Sequence, residues 1–308
     1  MKAVFMGTPD FSVPALEKLC EAHDVIAVVT QPDKPRGRSG KPAACAVKEK
    51  AVELGKKVIQ PEKARDEAFI SELKSLDPDV IVVIAYGQIL PGEILDLPRY
   101  GCINVHASLL PKYRGAAPIQ WAVINGDEVT GVTTMLMNEG LDTGDILLTK
   151  EIRPDAKETG GSLFEKLSTI GSELMIETLE GLEKGEIAPV KQDESKASKV
   201  GLLTKTMGEL DFNRTATELE RLIRGLDPWP GAYTFAAGKK LSVWKADAVE
   251  GNGEPGVIKD ADRDHIDIGC REGILRVTEL QAEGRKRMSA GDFLNGSSLK
   301  AGDMLGRA

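Results

Sequence analysis

The chain has 308 residues, of which 41% are hydrophobic, 29% charged and 5% aromatic, a composition that excludes disordered, collagen-like and disulfide-stapled proteins. Its 40 basic and 48 acidic residues give a net charge of −8, which taken alone argues against a nucleic-acid partner. No apolar run approaches the roughly 18 residues of a membrane span and no signal-peptide pattern is present, so the cytoplasm is the expected location.

The first 150 residues alternate short apolar segments with amphipathic ones, a pattern that predicts βα units and a parallel sheet. The predicted strands are residues 2–6, 25–30, 57–60, 79–85, 102–106, 131–137 and 145–152. The predicted helices are residues 12–22, 43–54, 66–75, 117–125 and about 162–184. We therefore expect an open Rossmann-like, mostly parallel α/β domain over residues 1–184.

Residues 185–206 are polar and carry little periodicity, so they predict a linker. After them the pattern changes to one helix, at about residues 215–225, followed by short alternating segments separated by glycine-rich turns. This pattern predicts a smaller β-barrel domain over residues 207–308. A five-stranded OB-like barrel is one possibility, and such barrels often bind nucleic acid.

The turn at residues 7–10 follows the first strand, where a dinucleotide-binding fold would carry its glycine fingerprint. Its sequence, GTPD, lacks the GxGxxG pattern, and proline and aspartate would obstruct a pyrophosphate. We therefore expect the fold without NAD or FAD. Four cysteines without a CxxC pair, together with three scattered histidines, predict reduced thiols and no structural metal.

The loop after the second strand is basic although the whole chain is acidic. Residues 1–204 contain 24 basic and 31 acidic residues, whereas residues 33–50 contain six basic residues and two acidic ones. A solvated charge run is the usual explanation for such a segment. The loop lies near the sheet edge where ligands bind, however, and could grip a polyanion such as RNA through its phosphates.

The most informative segment is GCINVHASLLPKYRG, residues 101–115. Asn104 and His106 are two apart on a predicted strand, so both side chains lie on one face. In open α/β sheets ligands collect at the carboxyl ends of strands. A carboxamide beside an imidazole suits acyl transfer, because the amide can stabilise an oxyanion while the histidine moves protons. The spacing alone fits a core histidine bonded to backbone equally well.

Two acids, Asp142 and Asp145, lie around a glycine turn in GLDTGDILL. Paired carboxylates can bind a metal or perform acid-base chemistry, but such a turn more often caps a hairpin. Ser108, His106 and Asp142 also offer the residue types of a hydrolytic triad. A triad is disfavoured because the nucleophile elbow is missing and Ser108 lies too close to His106 in sequence.

Read together, NVHASLLPKYRG and GLDTGDIL resemble the 10-formyltetrahydrofolate-dependent formyltransferases. The resemblance implies a catalytic set of Asn104, His106 and Asp142, with 10-formyltetrahydrofolate as the formyl donor and no metal. It also implies that the SLLP turn binds folate and that AYGQILP lines the pterin pocket. The implied folate contacts are Ser108, Leu109, Leu110 and Pro111 in the turn, and Gln88 and Leu90 in the loop.

Four further segments, MGTPDFSVPAL, TQPDKPRGR, RGLDPWPGAYT and GRKRMSAGDFLNG, are similar to the branch of this family that acts on methionyl-tRNA. This similarity implies formylation of the methionine on initiator tRNA by a monomer, with tRNA contacts from Arg36, Arg38 and Lys41. Another folate-dependent formyltransferase or a formyltetrahydrofolate hydrolase is the alternative. An RNA-binding module without catalysis is disfavoured because the implied catalytic set is intact.

Overall fold

The structure is a computed structural model that describes residues 1–35 and 42–306. The predicted tRNA contacts Arg36, Arg38 and Lys41 lie outside the described residues. The chain divides into two units. The first unit comprises Met1–Gly115, Val129–Ile152 and Phe164–Val200, and the second comprises Ala116–Glu128, Arg153–Leu163 and the chain from Gly201 onward.

A seven-stranded sheet forms the centre of the first unit. Its strands are β1 (Lys2–Gly7), β2 (Asp24–Val29), β3 (Val58–Ile59), β4 (Val80–Ile84), β5 (Cys102–His106), β6 (Thr130–Leu136) and β7 (Asp145–Ile152). They are arranged in the order β7, β6, β5, β4, β1, β2, β3. Strands β1 to β5 are parallel, and β6 is antiparallel to both of its neighbours. The predicted Rossmann-like, mostly parallel sheet is confirmed.

In the described parts of the chain, six helices occur close to where the amphipathic segments predicted them, whereas the two short helices at Gly92–Leu95 and Ala290–Leu294 were not predicted. The helices are α1 (Val13–Ala22), α2 (Ala46–Glu53), α3 (Glu67–Leu76), α4 (Gly92–Leu95), α5 (Pro118–Asn125), α6 (Gly160–Lys184), α7 (Ala216–Gly225) and α8 (Ala290–Leu294). Short 3-10 turns occupy Asp10–Ser12, Glu194–Lys196 and Lys205–Gly208. None of the helices in the described parts of the chain is long and apolar enough to cross a membrane.

Burial explains why these segments form a sheet covered by helices. All five residues of β4 are buried, as expected for a central parallel strand covered on both faces. In α3, Phe69, Ile70 and Leu73 are buried, which places one apolar stripe of the helix in the core. Each fully buried side chain of this size stabilises the fold by roughly 1.5 to 3 kcal/mol.

The second unit contains an antiparallel sheet, as predicted. Its strands are β8 (Ala232–Ala236), β9 (Lys239–Val249), β10 (Ile258–Asp262), β11 (His265–Gly269), β12 (Ile274–Ala282) and β13 (Met288–Ser289). The order is β8, β9, β12, β11, β10, and β13 pairs with β12. Leu219, Leu222 and Ile223 of α7 are buried in the same hydrophobic core as the inward side chains of this sheet.

The last described residues close this sheet. Leu305 donates its backbone N–H to Gly256 O at 2.8 Å, and Gly306 donates to Phe235 O at 2.9 Å. Residues 302–306 therefore hydrogen-bond both to β8 and to the chain that enters β10, the two edges of the sheet. Closure of this kind removes the free edges that would otherwise pair with other chains.

The boundary between the units falls after Val200, within the predicted linker. Residues before that boundary bond to the first unit. Val190 pairs with Ile146, and Lys199–Val200 forms a short parallel ladder with Arg114–Gly115. A second two-residue ladder joins Lys34–Pro35 to Pro42–Ala43 at the base of the basic loop.

Candidate active site

Asn104 lies on β5 opposite Val83 of β4. Its Nδ2 donates to Val83 O at 3.1 Å, which fixes the orientation of the amide. Its Oδ1 is buried and has no hydrogen-bond partner among the described residues. A buried polar atom left unpaired costs about 1 to 3 kcal/mol, so this oxygen is suited to accept a hydrogen bond from a ligand.

His106 ends β5 two residues further on, and its side chain is only 8% exposed. Its Nε2 lies 2.9 Å from Tyr113 O, and because a carbonyl oxygen only accepts, Nε2 carries the hydrogen. Its Nδ1 lies 3.7 Å from Asp142 Oδ1. In the neutral ring, Nδ1 is therefore the nitrogen with a free lone pair, available to take a proton.

Asp142 lies in the turn between β6 and β7. Its Oδ2 accepts a hydrogen bond from Gly115 N at 2.7 Å, which leaves Oδ1 facing His106. Within the same turn Asn138 Oδ1 accepts from Gly140 N at 3.0 Å. The segment is therefore a hairpin turn, which was the structural alternative to a pair of functional carboxylates. The same turn also directs the Asp142 carboxylate toward the histidine. Asp145 is the first residue of β7.

Both groups that face the His106 ring come from residues with left-handed backbone. Tyr113 has a φ of 61° and Asp142 a φ of 53°. For a residue with a Cβ this conformation costs roughly 1 to 2 kcal/mol. Such strained residues cluster at functional sites, where the surrounding structure holds them in place. The environment of His106 is therefore built at an energetic cost.

The SLLP turn follows β5 directly and is tied to β6. Thr133 Oγ1 donates to Ser108 O at 2.7 Å and accepts from Leu110 N at 3.1 Å. The Ser108 hydroxyl donates to Lys112 O at 2.6 Å, and both nitrogens of His106 face other groups. This is not the geometry of a hydrolytic triad. Leu110 is buried, whereas Leu109 and Pro111 are half-buried.

The AYGQILP loop follows β4, the neighbouring strand. Gln88 Oε1 accepts from Ala64 N at 2.8 Å, so this predicted folate contact uses its side chain to hold a neighbouring segment. Leu90, another predicted contact, is 3% exposed. Ile89 between them is 81% exposed and is the apolar side chain of this loop most open to a ligand. Nothing in the sequence pattern distinguished Ile89.

Gln31, two residues beyond the end of β2, fixes the same loop. Its Nε2 donates to Tyr86 O at 3.1 Å and to Gly87 O at 3.0 Å. A Cβ at Gly87, whose φ is +82°, would lie 2.5 Å from that nitrogen, so any other residue would displace the Gln31 amide and strain the backbone. Across residues 1–35 and 42–306, no group of three or more His, Cys, Asp or Glu side chains could hold a metal ion.

Sequence reasoning missed four groups that shape the site: Tyr113 O, the Gly115 N–H, Arg114 and Gln192. The first three lie within the motif at residues 101–115. Tyr113 and Gly115 act through backbone atoms, which side-chain patterns do not reveal. Gln192 lies in the polar segment predicted as a linker, and no periodicity or motif marks it.

Two family models match most of the chain. The model described as formyl transferase matches residues 1–179. The model described as formyl transferase, C-terminal domain, matches residues 202–298. The fold and the two matches together define the class of protein as a formyltransferase.

Sequence relatives narrow this class. The methionyl-tRNA formyltransferase of Lachnospira eligens is 58% identical over 314 residues, covering 99% of this chain and 100% of the relative. That of Clostridioides difficile is 47% identical over 309 residues, with the same shares covered. The chain belongs to the methionyl-tRNA formyltransferase family.

Solved structures share the fold at lower identity. An N-formyltransferase from Helicobacter canadensis, complexed with folinic acid and dTDP-3-aminofucose, has a TM-score of 0.67 at 17% identity, covering 92% of this chain and 99% of its own. HypX from Aquifex aeolicus, complexed with tetrahydrofolic acid, has a TM-score of 0.62 at 18% identity and covers 100% of this chain and 51% of its own.

Proposed function

We propose that this chain transfers the formyl group of 10-formyltetrahydrofolate to the α-amine of methionine on initiator tRNA. The products are N-formylmethionyl-tRNA and tetrahydrofolate. The observation that carries the proposal is the constellation of Asn104, His106 and Asp142 at the carboxyl edge of the sheet. The names of the full-length relatives support the acceptor. The folate-bound structures support the donor.

The reaction begins with attack by a neutral amine. A reference α-amine has a pKa of about 7.7 to 8.0, and the neighbouring ester lowers it, so an appreciable fraction is unprotonated near neutral pH. A strong base is therefore unnecessary. The amine nitrogen bonds to the formyl carbon and the carbonyl π electrons move to oxygen. The protein must then stabilise this oxyanion and deliver a proton to the departing folate nitrogen, N10.

Asn104 is suited to both reacting groups. One Nδ2 hydrogen is committed to Val83 O, and the second can donate to the oxyanion. The unpartnered Oδ1 can accept an N–H of the attacking amine and so aim its lone pair at the formyl carbon. One fixed amide thereby positions the nucleophile and stabilises the charge that its attack creates.

His106 is suited to moving the proton. Because Nε2–H is committed to Tyr113 O, Nδ1 is the atom that takes a proton from the ammonium group of the adduct. At 3.7 Å the Asp142 carboxylate stabilises the resulting imidazolium by charge rather than by a hydrogen bond. The imidazolium assists Asn104 at the oxyanion. It then protonates N10 as the carbon–N10 bond breaks and the carbonyl re-forms.

Recognition of tRNA is assigned to the basic loop and to the domain over residues 207–308. Arg36, Arg38 and Lys41 would contact phosphates, which position the RNA without reading its sequence. Changing Arg38 to alanine should raise the KM for tRNA and leave folate binding intact. If folate affinity fell and tRNA use did not, the assignment of this loop would be wrong.

The experiment that tests the whole proposal is incubation with formyl-labelled 10-formyltetrahydrofolate and charged tRNA, following label in the aminoacyl ester. We expect label on initiator methionyl-tRNA well above that on elongator methionyl-tRNA. Release of formate without any tRNA would instead identify a hydrolase. Binding of tRNA without consumption of the donor would identify an RNA-binding module.

A further inference from the structure

The two groups that face His106 belong to different loops of the first unit. Tyr113 follows the SLLP turn, and Asp142 lies between β6 and β7. Because Nδ1 and Oδ1 are already 3.7 Å apart, a small movement of either loop would change the charge environment of the imidazole. Some part of the chain must therefore keep the Tyr113 loop and the Asp142 loop in a fixed position relative to each other.

Residues 192–198 bond to the first of these loops. Ser198 N donates to Pro111 O at 3.1 Å, and Ser198 O accepts from Arg114 N at 2.8 Å. Its hydroxyl oxygen accepts from Tyr113 N at 2.9 Å. The backbone that presents Tyr113 O to His106 is thus held on both sides by one residue of the segment predicted as a linker.

Gln192 bonds to the second loop. Its Nε2 donates to Asp142 O at 2.9 Å and to Gly144 O at 2.7 Å. Its Oε1 accepts from Arg114 Nε at 2.9 Å and from Arg114 Nη2 at 2.7 Å. Both donors and both acceptor positions of this amide are therefore used. The amide links the turn that contains Asp142 to Arg114, the residue that follows Tyr113.

Arg114 is itself fixed. Its side chain is 2% exposed, and its guanidinium donates to both carboxylate oxygens of Glu194, at 2.9 and 2.6 Å. This forked geometry defines one orientation of the guanidinium. Arg114 in turn holds the pKa of the Glu194 carboxyl below its usual value through these hydrogen bonds. Direct hydrogen bonds therefore connect Glu194 to Arg114, Arg114 to Gln192, and Gln192 to the turn that contains Asp142.

We infer that Gln192 is a positioning residue for formyl transfer: its amide donors hold the Asp142 turn against His106, and Arg114 holds Gln192. The inference rests on the proposed function. It predicts that loss of these two donors lowers turnover without weakening substrate binding, because Gln192 acts through Asp142 and not on either substrate.

The variant Gln192→Glu isolates the donors. It keeps the size of the side chain and the acceptor for Arg114, but it turns a carboxylate oxygen toward the Asp142 and Gly144 carbonyls. We expect kcat at saturating substrates to fall by about 10- to 100-fold, the scale of small misplacements in active sites, with both KM values unchanged. Lys191→Gln is the control, because it makes the same change in net charge at the adjacent exposed residue. Its kcat should match wild type.

Amide hydrogen exchange gives a readout that does not depend on activity. Gly115 N–H donates to Asp142 Oδ2, so its protection reports whether the carboxylate keeps its place. We expect faster exchange at Gly115 in Gln192→Glu and in the uncharged variant Gln192→Met, and wild-type exchange in Lys191→Gln. If Gln192→Glu loses turnover while Gly115 stays protected, or keeps wild-type kcat, the inference is wrong. The exchange measurement does not depend on formyl transfer. Even if the wild-type protein transferred no formyl group, wild-type exchange at Gly115 in both Gln192 variants would show that Gln192 does not position Asp142.

Discussion

The Asn104 amide is held by one hydrogen bond to Val83 O and keeps a buried oxygen without a partner among the described residues. Changing Asn104 to alanine should remove about 2.7 to 4 kcal/mol of transition-state stabilisation, a loss of roughly 10²- to 10³-fold in kcat. Steady-state kinetics with saturating donor and tRNA will measure it, and a thermal melt will check that the variant is folded. A folded variant with near-normal kcat would remove Asn104 from the mechanism.

The four cysteines should differ in reactivity. Burial raises the pKa of Cys102 to about 12 and that of Cys270 to about 11, so almost no thiolate is present at pH 8. Cys20 and Cys45 are half-buried. We expect a thiolate-selective reagent to modify Cys102 and Cys270 only after denaturation, as read by peptide mass spectrometry. Labelling of Cys270 in the folded protein at the rate of Cys45 would contradict this.

Helices with one buried apolar stripe and strands that are apolar throughout could be predicted from the sequence, because burial alone dictates their pattern. Strand β4 and helix α7 are examples, and both occur within a residue or two of the predicted bounds. Gln192 could not be predicted, because a single polar side chain that donates to two backbone carbonyls and accepts from one arginine leaves no periodic trace. The closing residues 302–306 escaped prediction for the same reason: their bonds are backbone bonds to distant strands.

Helix α7 begins with a reciprocal cap. Thr215 Oγ1 accepts from Glu218 N at 3.2 Å, and the Glu218 carboxylate accepts from Thr215 N at 2.8 Å. Thr215→Ala should lower the free energy of unfolding of the second unit by about 1 kcal/mol. All three tryptophans, at 121, 229 and 244, lie in this unit, so their fluorescence in urea measures it directly. Thr217→Ala, an exposed site in the same turn, is the control and should cause no loss.

The same cap makes the second unit sensitive to acid. The backbone hydrogen bond from Thr215 is the main reason that the pKa of Glu218 lies below its ordinary value of 4.5. A carboxyl with a lowered folded-state pKa stabilises the fold above its unfolded pKa, and that stability is lost as pH falls through the folded pKa. Glu218→Gln should therefore be less stable than wild type at pH 7, and the difference should shrink below pH 4.5. If wild type and Glu218→Gln differed in stability by the same amount at pH 7 and below pH 4.5, this prediction would be wrong.

At the scale of the whole molecule, the net charge of −8 is a poor guide to the partner. The acidity belongs mainly to residues 1–204, whereas residues 33–50 carry a net charge of +4. If tRNA is held by the few phosphate contacts of such a loop, affinity should fall as salt rises, with a shallow slope set by the number of phosphates neutralised. Filter binding between 50 and 200 mM salt measures that slope, and an affinity independent of salt would contradict the proposed loop.

Closure of the second unit's sheet depends on a segment distant in sequence from both edges that it joins. Leu305 is 4% exposed and belongs to the core, whereas its neighbour Met304 is 59% exposed. Leu305→Ala should destabilise the unit by about 2 to 5 kcal/mol through lost burial and the cavity that remains. Met304→Ala keeps the same backbone bonds and should stay within about 0.5 kcal/mol of wild type. Tryptophan fluorescence in urea compares the two, and equal midpoints would show that the segment does not hold the barrel closed.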